Sequence, residues 1–251
     1  MSISVLERTP VKTDKVIRED KMKRAVVLLS GGLDSTVTAY IAREDIGKKG
    51  ELYLLTCAYN QRHYKEILSA RLVGQKLEAK RHEFIDLPLS KLVNTALTGQ
   101  QEVKTDGIDS GIPSTWVPMR NAVFISLAFA FAETVDADFI YIGVNSLDYS
   151  GYPDCRQEFI TAINRALNLA SKRFVTTGKG FGLVTPLVRK TKSEIIQWGI
   201  KLGIDFSLTW SCYQGEEEAC GVCDSCRIRL KGFKEAGLVD PTKYKGDINL
   251  L

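Results

Sequence analysis

The apolar run Ala25-Val26-Val27-Leu28-Leu29 ends at Ser30-Gly31-Gly32-Leu33-Asp34-Ser35, and helix-like spacing begins near Ser35. A strand, a glycine turn and a helix start, in that order, constrain the fold more than any other stretch of the chain. Two neighbouring glycines admit positive φ and let a ligand come close to the main chain, while the first helical turn offers unpaired N–H groups to an anion. A polyphosphate is the expected guest. The loop contains neither Gly-x-x-x-x-Gly-Lys-Ser/Thr nor Gly-x-Gly-x-x-Gly, so the two better-known phosphate turns do not apply. A plain glycine turn with Asp34 or Ser35 capping the helix predicts the same backbone, and ligand binding separates the two readings.

Downstream, Thr36 to Glu44 reads as a helix and Glu51 to Cys57 as a second buried strand, which completes a β-α-β unit. Tyr64 to Leu77 has helical spacing, and His82 to Ile85 reads as a third strand. From Pro88 to Pro118 the periodicity fades into a long connection of the kind used for lids and binding loops. Ala122 to Val135 is apolar nearly all round and is expected to be a helix buried on the sheet. Phe139 to Gly143 is the next strand, and helices are expected over Cys155 to Ala170 and Lys192 to Leu202. The alternation predicts an α/β fold with a doubly wound parallel sheet. Ligands of such a sheet bind beyond the carboxyl ends of its strands, where Ser30–Ser35, Tyr59-Asn60-Gln61 and Gly143–Asp154 emerge.

The chain has 251 residues, of which 44% are hydrophobic and 25% charged, and no apolar window is long enough to span a bilayer. A formal charge of +4 is too small a surplus to argue for nucleic acid. The division expected is a flexible extension over 1–21, a nucleotide-binding α/β domain over 22–205 and a metal-binding region over 206–251. The opening segment is polar and carries Glu7, Asp14, Glu19 and Asp20, which suits neither a secretory signal nor a transit peptide. A cytoplasmic location follows as an expectation, and the six cysteines then point to metal or redox chemistry rather than disulfides.

Cys212, Cys220, Cys223 and Cys226 fall within fifteen residues, the last three as C-x2-C-x2-C. Four thiolates so close in sequence can close a tetrahedral shell, and a structural zinc is the expected ion; an iron–sulfur cluster is the rival. Such a shell keeps no open position for substrate, so the metal is assigned to folding, pinning the tail beside Trp210 and Tyr213. Cys57 reads as a small core residue. Cys155 stands at a helix start, where its pKa is expected to fall. His63 and His82 are expected to serve packing or surface hydrogen bonding.

The Ser-Gly-Gly-x-Asp-Ser pattern resembles the PP-loop of the ATP pyrophosphatases. Trp116-Val117-Pro118-Met119-Arg120-Asn121, Asp148-Tyr149-Ser150-Gly151-Tyr152-Pro153-Asp154-Cys155-Arg156, Thr209-Trp210-Ser211-Cys212-Tyr213 and the Cys220–Cys226 stretch together resemble the 7-cyano-7-deazaguanine synthase family, from about Met22 to Pro241. Asn60 and Gln157 depart from it, where glycine and proline are expected.

The resemblance implies an adenine-nucleotide alpha-hydrolase-like fold and an ATP-dependent ligase of queuosine-precursor biosynthesis. Its substrates would be 7-carboxy-7-deazaguanine and ammonia, its cofactors ATP, zinc and magnesium. By the same resemblance Leu29, Ser30, Gly31, Gly32, Leu33, Asp34, Ser35 and Thr36 hold phosphates. Asp34 is a magnesium partner, Arg120 stabilises developing charge, Lys192 meets a phosphate, and Asp148, Tyr149, Tyr152 and Asp154 recognise the deazapurine. The plainer alternatives are a surface ion pair for Arg120 and a solvated side chain for Lys192. Met1-Ser2 offers no N-terminal cysteine for a glutaminase, so nitrogen is expected from free ammonia or a partner protein. No membrane contact and no stable nucleic-acid binding are expected, and a homodimer is admitted. The rivals are a tRNA-thiolating PP-loop enzyme, a relative that joins a deazaguanine to a protein, and a zinc-ribbon module binding nucleic acid.

Overall fold

The computed structural model describes residues 22–59, 64–98, 112, 115–145, 152–215 and 217–246. Residues 1–21 and the expected contacts Asn60, His63, Asp148 and Tyr149 lie outside them. Five strands, β1 (Arg24–Leu28), β2 (Glu51–Ala58), β3 (Arg81–Asp86), β4 (Phe139–Ile142) and β5 (Gly182–Val184), pair in the order β3-β2-β1-β4-β5, all parallel. The helices are α1 (Leu33–Ile46), α2 (Tyr64–Lys76), α3 (Arg120–Thr134), α4 (Gln157–Ala170), α5 (Lys172–Thr177), α6 (Lys192–Lys201) and α7 (Asp224–Glu235).

Side chains alternate across a strand, and this divides the core in two. Ala25, Val27, Leu29, Leu52 and Leu54 pack against Ala39 and Ala42 of α1 and Ala70 and Val73 of α2. Val26, Leu28, Leu55, Ile140 and Ile142 pack against Ile125, Ala128 and Phe129 of α3 and Ile160 of α4. Because both faces are covered, the central strands are continuous apolar runs without polar alternation. After β3 the chain returns to the other side of β1, so the strand order reverses between β1 and β4, where ligands of such sheets bind.

The expected elements are present with ends shifted by a few residues, while β5, α5 and α7 were not expected. β5 has three residues and begins with glycine; pairing with β4 makes it a strand, not its own propensity. In α7 the apolar positions are sparse and Gly232 interrupts them, so the helix depends on burying Ile228 and Phe233. Gln157 is the first residue of α4 and is exposed. Proline is equally at home there, so this departure from the family pattern costs no hydrogen bond.

A buried ion pair fixes the C-terminal region. The Arg229 guanidinium donates to Asp240 from Nε (2.8 Å) and Nη2 (3.0 Å), to Thr209 Oγ1 and Ser211 Oγ from Nη1, and to the Phe206 carbonyl from Nη2. The two side chains are 3% and 2% exposed. Asp240→Asn leaves that guanidinium uncompensated in a dry site, at a cost of about 3 kcal/mol. Urea unfolding should show this as a lower midpoint with unchanged slope.

Candidate active site

One cavity opens at the switch point, lined by Leu29, Ser30 and Gly32 to Ser35 from the end of β1, Tyr59 beyond β2, Gly143 to Asn145 beyond β4 and Trp210 to Tyr213. Gly31 has φ +92°, and a Cβ there would lie 2.2 Å from the Glu66 carbonyl oxygen and 2.5 Å from the Ala70 nitrogen. Only glycine lets α2 pass so close to the loop. Gly32 behaves differently: as N-cap of α1 it has φ −72°, so of the two glycines only Gly31 uses the left-handed region.

Neither Asp34 nor Ser35 caps α1, since its N-terminus has no side-chain cap. Ser35 Oγ donates to the Gly32 carbonyl (3.1 Å) and accepts from the Ser30 amide (3.2 Å), while Thr36 Oγ1 also donates to the Gly32 carbonyl (2.9 Å). These bonds brace the turn and leave the N-terminal end of a fourteen-residue helix facing the cavity as an anion site. Behind the loop, Thr56 Oγ1 donates to the Leu29 carbonyl (2.6 Å) and lies 2.8 Å from His82 Nε2. A hydroxyl has one proton, so His82 is the donor to Thr56 and sits as its neutral Nε2–H tautomer. The hydrogen bond of His82 is therefore made in the interior behind the loop and not at the surface, and burial pushes its pKa down to about 4.

Lys192, at the start of α6, is buried and places Nζ 2.7 Å from both carboxylate oxygens of Asp34. It is not a solvated side chain. A capping box at Thr191 and Glu194 fixes the start of α6, and α7 makes room for the lysine stem, since a Cβ on Gly232 would lie 2.3 Å from Lys192 Cγ. Arg120, first residue of α3, donates to the Tyr59 hydroxyl (3.2 Å) and stands over the Tyr59 ring. Burial opposes its charge, but Tyr59, Tyr152, Tyr213 and Asp154 outweigh this and hold it cationic. The preceding residue, Met119, is left-handed (φ +59°), a strained conformation for a side-chain-bearing residue at the point that aims Arg120.

Tyr152 lines the cavity and hydrogen-bonds to Thr115 Oγ1 (2.8 Å). Asp154 turns elsewhere: its carboxylate accepts from the Asn121 amide (3.0 Å), placing a negative charge at the N-terminal end of α3. This favours a positioning role for Asp154 over direct contact with a base. Cys155 corrects an expectation, since it is buried in a short turn ahead of α4 and burial pushes its pKa up to about 12, not down. Cys57 is buried in β2 as expected, and likewise raised to about 12.

The sequence reading missed Glu66. It lies in the first turn of α2, lines the cavity, and is pushed up to about 7 by burial, against the opposing pull of the Ser30 hydroxyl bond and the Arg120 charge. Nothing in the Tyr64–Leu77 pattern distinguishes it from the other charges on that helix, because its environment comes from β1 and α3.

The sulfurs of Cys212, Cys220, Cys223 and Cys226 lie within 4.8 Å of one another, Cys220 Sγ and Cys226 Sγ being 4.0 Å apart. Four thiolates at about 2.3 Å from one ion stand about 3.8 Å apart, so the set fits a tetrahedral metal. Backbone amides of Gln214, Gly215 and Cys220 donate to Cys212 Sγ, and that of Cys223 to Cys220 Sγ, as thiolates require. The cluster adjoins Trp210 and Tyr213, and the Trp210 amide donates to the Gly31 carbonyl (3.0 Å), which ties this region to the glycine loop.

The class that this fold and cavity define is an α/β enzyme with a glycine loop at the head of its first strand and a four-thiol site able to hold a metal. Residues 24–237 match the family model described as queuosine biosynthesis protein QueC, and the chain belongs to that family. A 7-cyano-7-deazaguanine synthase of Ralstonia pickettii is 49% identical over 225 residues, covering 88% of this chain and 99% of that protein. One from Citrifermentans bemidjiense is 50% identical over 225 residues, covering 89% and 98%. One from Cupriavidus necator is 50% identical over 226 residues, covering 89% and 98%.

Proposed function

We propose that this protein makes 7-cyano-7-deazaguanine from 7-carboxy-7-deazaguanine, ammonia and ATP. The observation that carries the reading is the meeting, in one cavity, of an uncapped helix N-terminus behind a glycine loop with Arg120 and the Tyr59, Tyr152 and Tyr213 hydroxyls. A carboxylate resists ammonia because it is a poor electrophile with a poor leaving group. Transfer of AMP to its oxygen supplies the leaving group, attack by ammonia gives the amide, and a second activation at the amide oxygen permits elimination to the nitrile. In this scheme Leu29 to Thr36 cradle the phosphates, Arg120 faces the charge that develops on the transferred oxygen, and Tyr152 contacts the base.

Of the Asp34–Lys192 pair, Lys192 would meet the triphosphate and Asp34 would hold magnesium. Magnesium would neutralise phosphate charge there. The thiol set is assigned to zinc, in a folding role. Residues 22–205 are assigned to nucleotide binding and 206–251 to zinc binding. A cytoplasmic enzyme using free or partner-delivered ammonia fits this chemistry, as does a homodimer. No helix among the described residues is long and apolar enough to cross a membrane.

Incubation with ATP, ammonium and the 7-carboxy base, followed by mass detection, should yield the nitrile with AMP and pyrophosphate; ADP without AMP defeats the adenylation scheme. Arg120→Lys should lower kcat by about 10²-fold or more with little change in the KM for ATP, because it removes planar donors aimed at the developing charge. Lys192→Met should instead raise the KM for ATP by roughly 10-fold, a loss of binding common to ground and transition states. Steady-state kinetics in ATP distinguish the two.

A further inference from the structure

The route from acid to nitrile releases protons from nitrogen. Ammonia adding to the activated acyl carbon forms a C–N bond, expels AMP with the C–O bonding pair and must lose one proton to become the amide. Activating the amide oxygen and then breaking its C–O bond to give the nitrile removes the two remaining N–H protons. A group in the cavity has to accept them.

Among the described residues, three carboxyl groups lie at or beside this cavity. Asp34 is held by both its oxygens on Lys192 Nζ, and Asp154 is committed to the Asn121 amide at the head of α3. Neither is placed to cycle a proton. The third, Glu66, rises from the first turn of α2 into the cavity; its Oε1 lies 3.9 Å from where a Gly32 Cβ would stand, a point 3.3 Å from Ser30 Oγ. We propose that Glu66 is the general base that takes the substrate-nitrogen protons, in amide formation and again in the elimination to the nitrile.

Each element packed around Glu66 contributes one recognisable influence. From the β1 loop, the Ser30 hydroxyl favours the carboxylate; from α3, the Arg120 cation does the same; from the end of β2, Tyr59 stands beside both. On its own helix, Lys65 donates to the Glu217 carbonyl and carries its Nζ 4.3 Å from the centre of the Trp210 ring. Burial outweighs these pulls and leaves the carboxyl at about 7, where one group can both accept a proton and release it to solvent between steps. Ser30 belongs to the phosphate turn, where its Oγ accepts from the Gly32 amide (3.2 Å) and lies 3.0 Å from Ser35 Oγ. A base placed next to that turn sits beside the leaving phosphate, where the proton is lost.

This inference rests on the proposed reaction, and its test keeps the two apart. Wild type and Glu66→Gln are assayed from pH 5.5 to 9 with ATP and either the acid plus ammonium or the amide alone. Wild type should show nitrile formation that falls on the acid side of a pKa near 7. Glu66→Gln should lose about 10²- to 10⁴-fold in nitrile formed from either starting compound, lack that acid limb, and release more AMP per nitrile as activated substrate hydrolyses. Glu66→Asp should regain part of the rate and an acid limb, which a merely structural role does not predict. If Glu66→Gln makes nitrile within threefold of wild type with the acid limb intact, the base is another group while the reaction stands. If Glu66→Gln is folded by circular dichroism and slowed, yet keeps the wild-type limb, the proposal likewise fails. A wild-type enzyme that turns neither acid nor amide into nitrile overturns the functional reading and this inference with it.

Discussion

Cys223→Ser should strip the protein of its metal, from one zinc per chain to nearly none, and loosen the region from Thr209 to Tyr244. Cys223 has no exposed surface and its sulfur belongs to the four-thiol set, so a serine oxygen there offers zinc a poor ligand inside a cage built for sulfur. Structural zinc contributes roughly 10–16 kcal/mol to small zinc-dependent folds, and losing one of four thiolates forfeits a large share of such a contribution. This region packs through Phe233, against Phe206, onto α1 and α6, so the sheet should survive while the tail opens. The damage reaches the active site by a short path: the Trp210 amide holds the Gly31 carbonyl, and Trp210 to Tyr213 line the cavity. Elemental analysis and limited proteolysis check both halves of the expectation. A brown wild-type protein containing iron overturns the assignment to zinc.

Gly31→Ala should be as damaging by a different mechanism. The left-handed φ of +92° costs a residue bearing a Cβ about 1–2 kcal/mol, and the new carbon falls within 2.5 Å of two backbone atoms of α2. Backbone cannot step aside as a flexible side chain can, so either α2 shifts or the loop does. A destabilisation on the order of 4 kcal/mol or more is expected, with ATP-dependent turnover falling at least ~100-fold, since a displacement of about 1 Å at the reacting groups is enough for that. Gly32→Ala is the control. Its φ is ordinary, and the nearest atom to a new Cβ is Ser30 Oγ at 3.3 Å, the end of a short side chain. Thermal unfolding and turnover of the two variants, side by side, separate the glycine that the fold requires from its neighbour; equal behaviour overturns the argument.

Local pattern made much of this molecule legible. Parallel strands buried on two faces must be apolar throughout, so the runs at Ala25–Leu29, Glu51–Cys57 and Phe139–Ile142 announce themselves, and so does a helix apolar nearly all round at α3. The four thiols were legible because metal ligation leaves a spacing in the chain. The rest depended on neighbours. β5 is a strand because β4 pairs with it, and Cys155 is deeply protonated because α3 and α4 bury it beside Asp154. Lys192 meets Asp34 across 158 positions of chain, and Asp154 turns from the cavity because an uncapped helix end lies nearer.

Amino-acid order alone therefore determined the α/β alternation, the glycine turn and the cysteine cage, each of which is written in residues a few places apart. The three-dimensional packing alone decided which of two glycines is indispensable, which carboxylates are tied down and which one remains poised to carry a proton. The physical reason is that hydrogen bonds, close contacts and desolvation at Gly31, Asp34, Asp154 and Glu66 come from segments distant in sequence, and no local pattern records what will be folded against it.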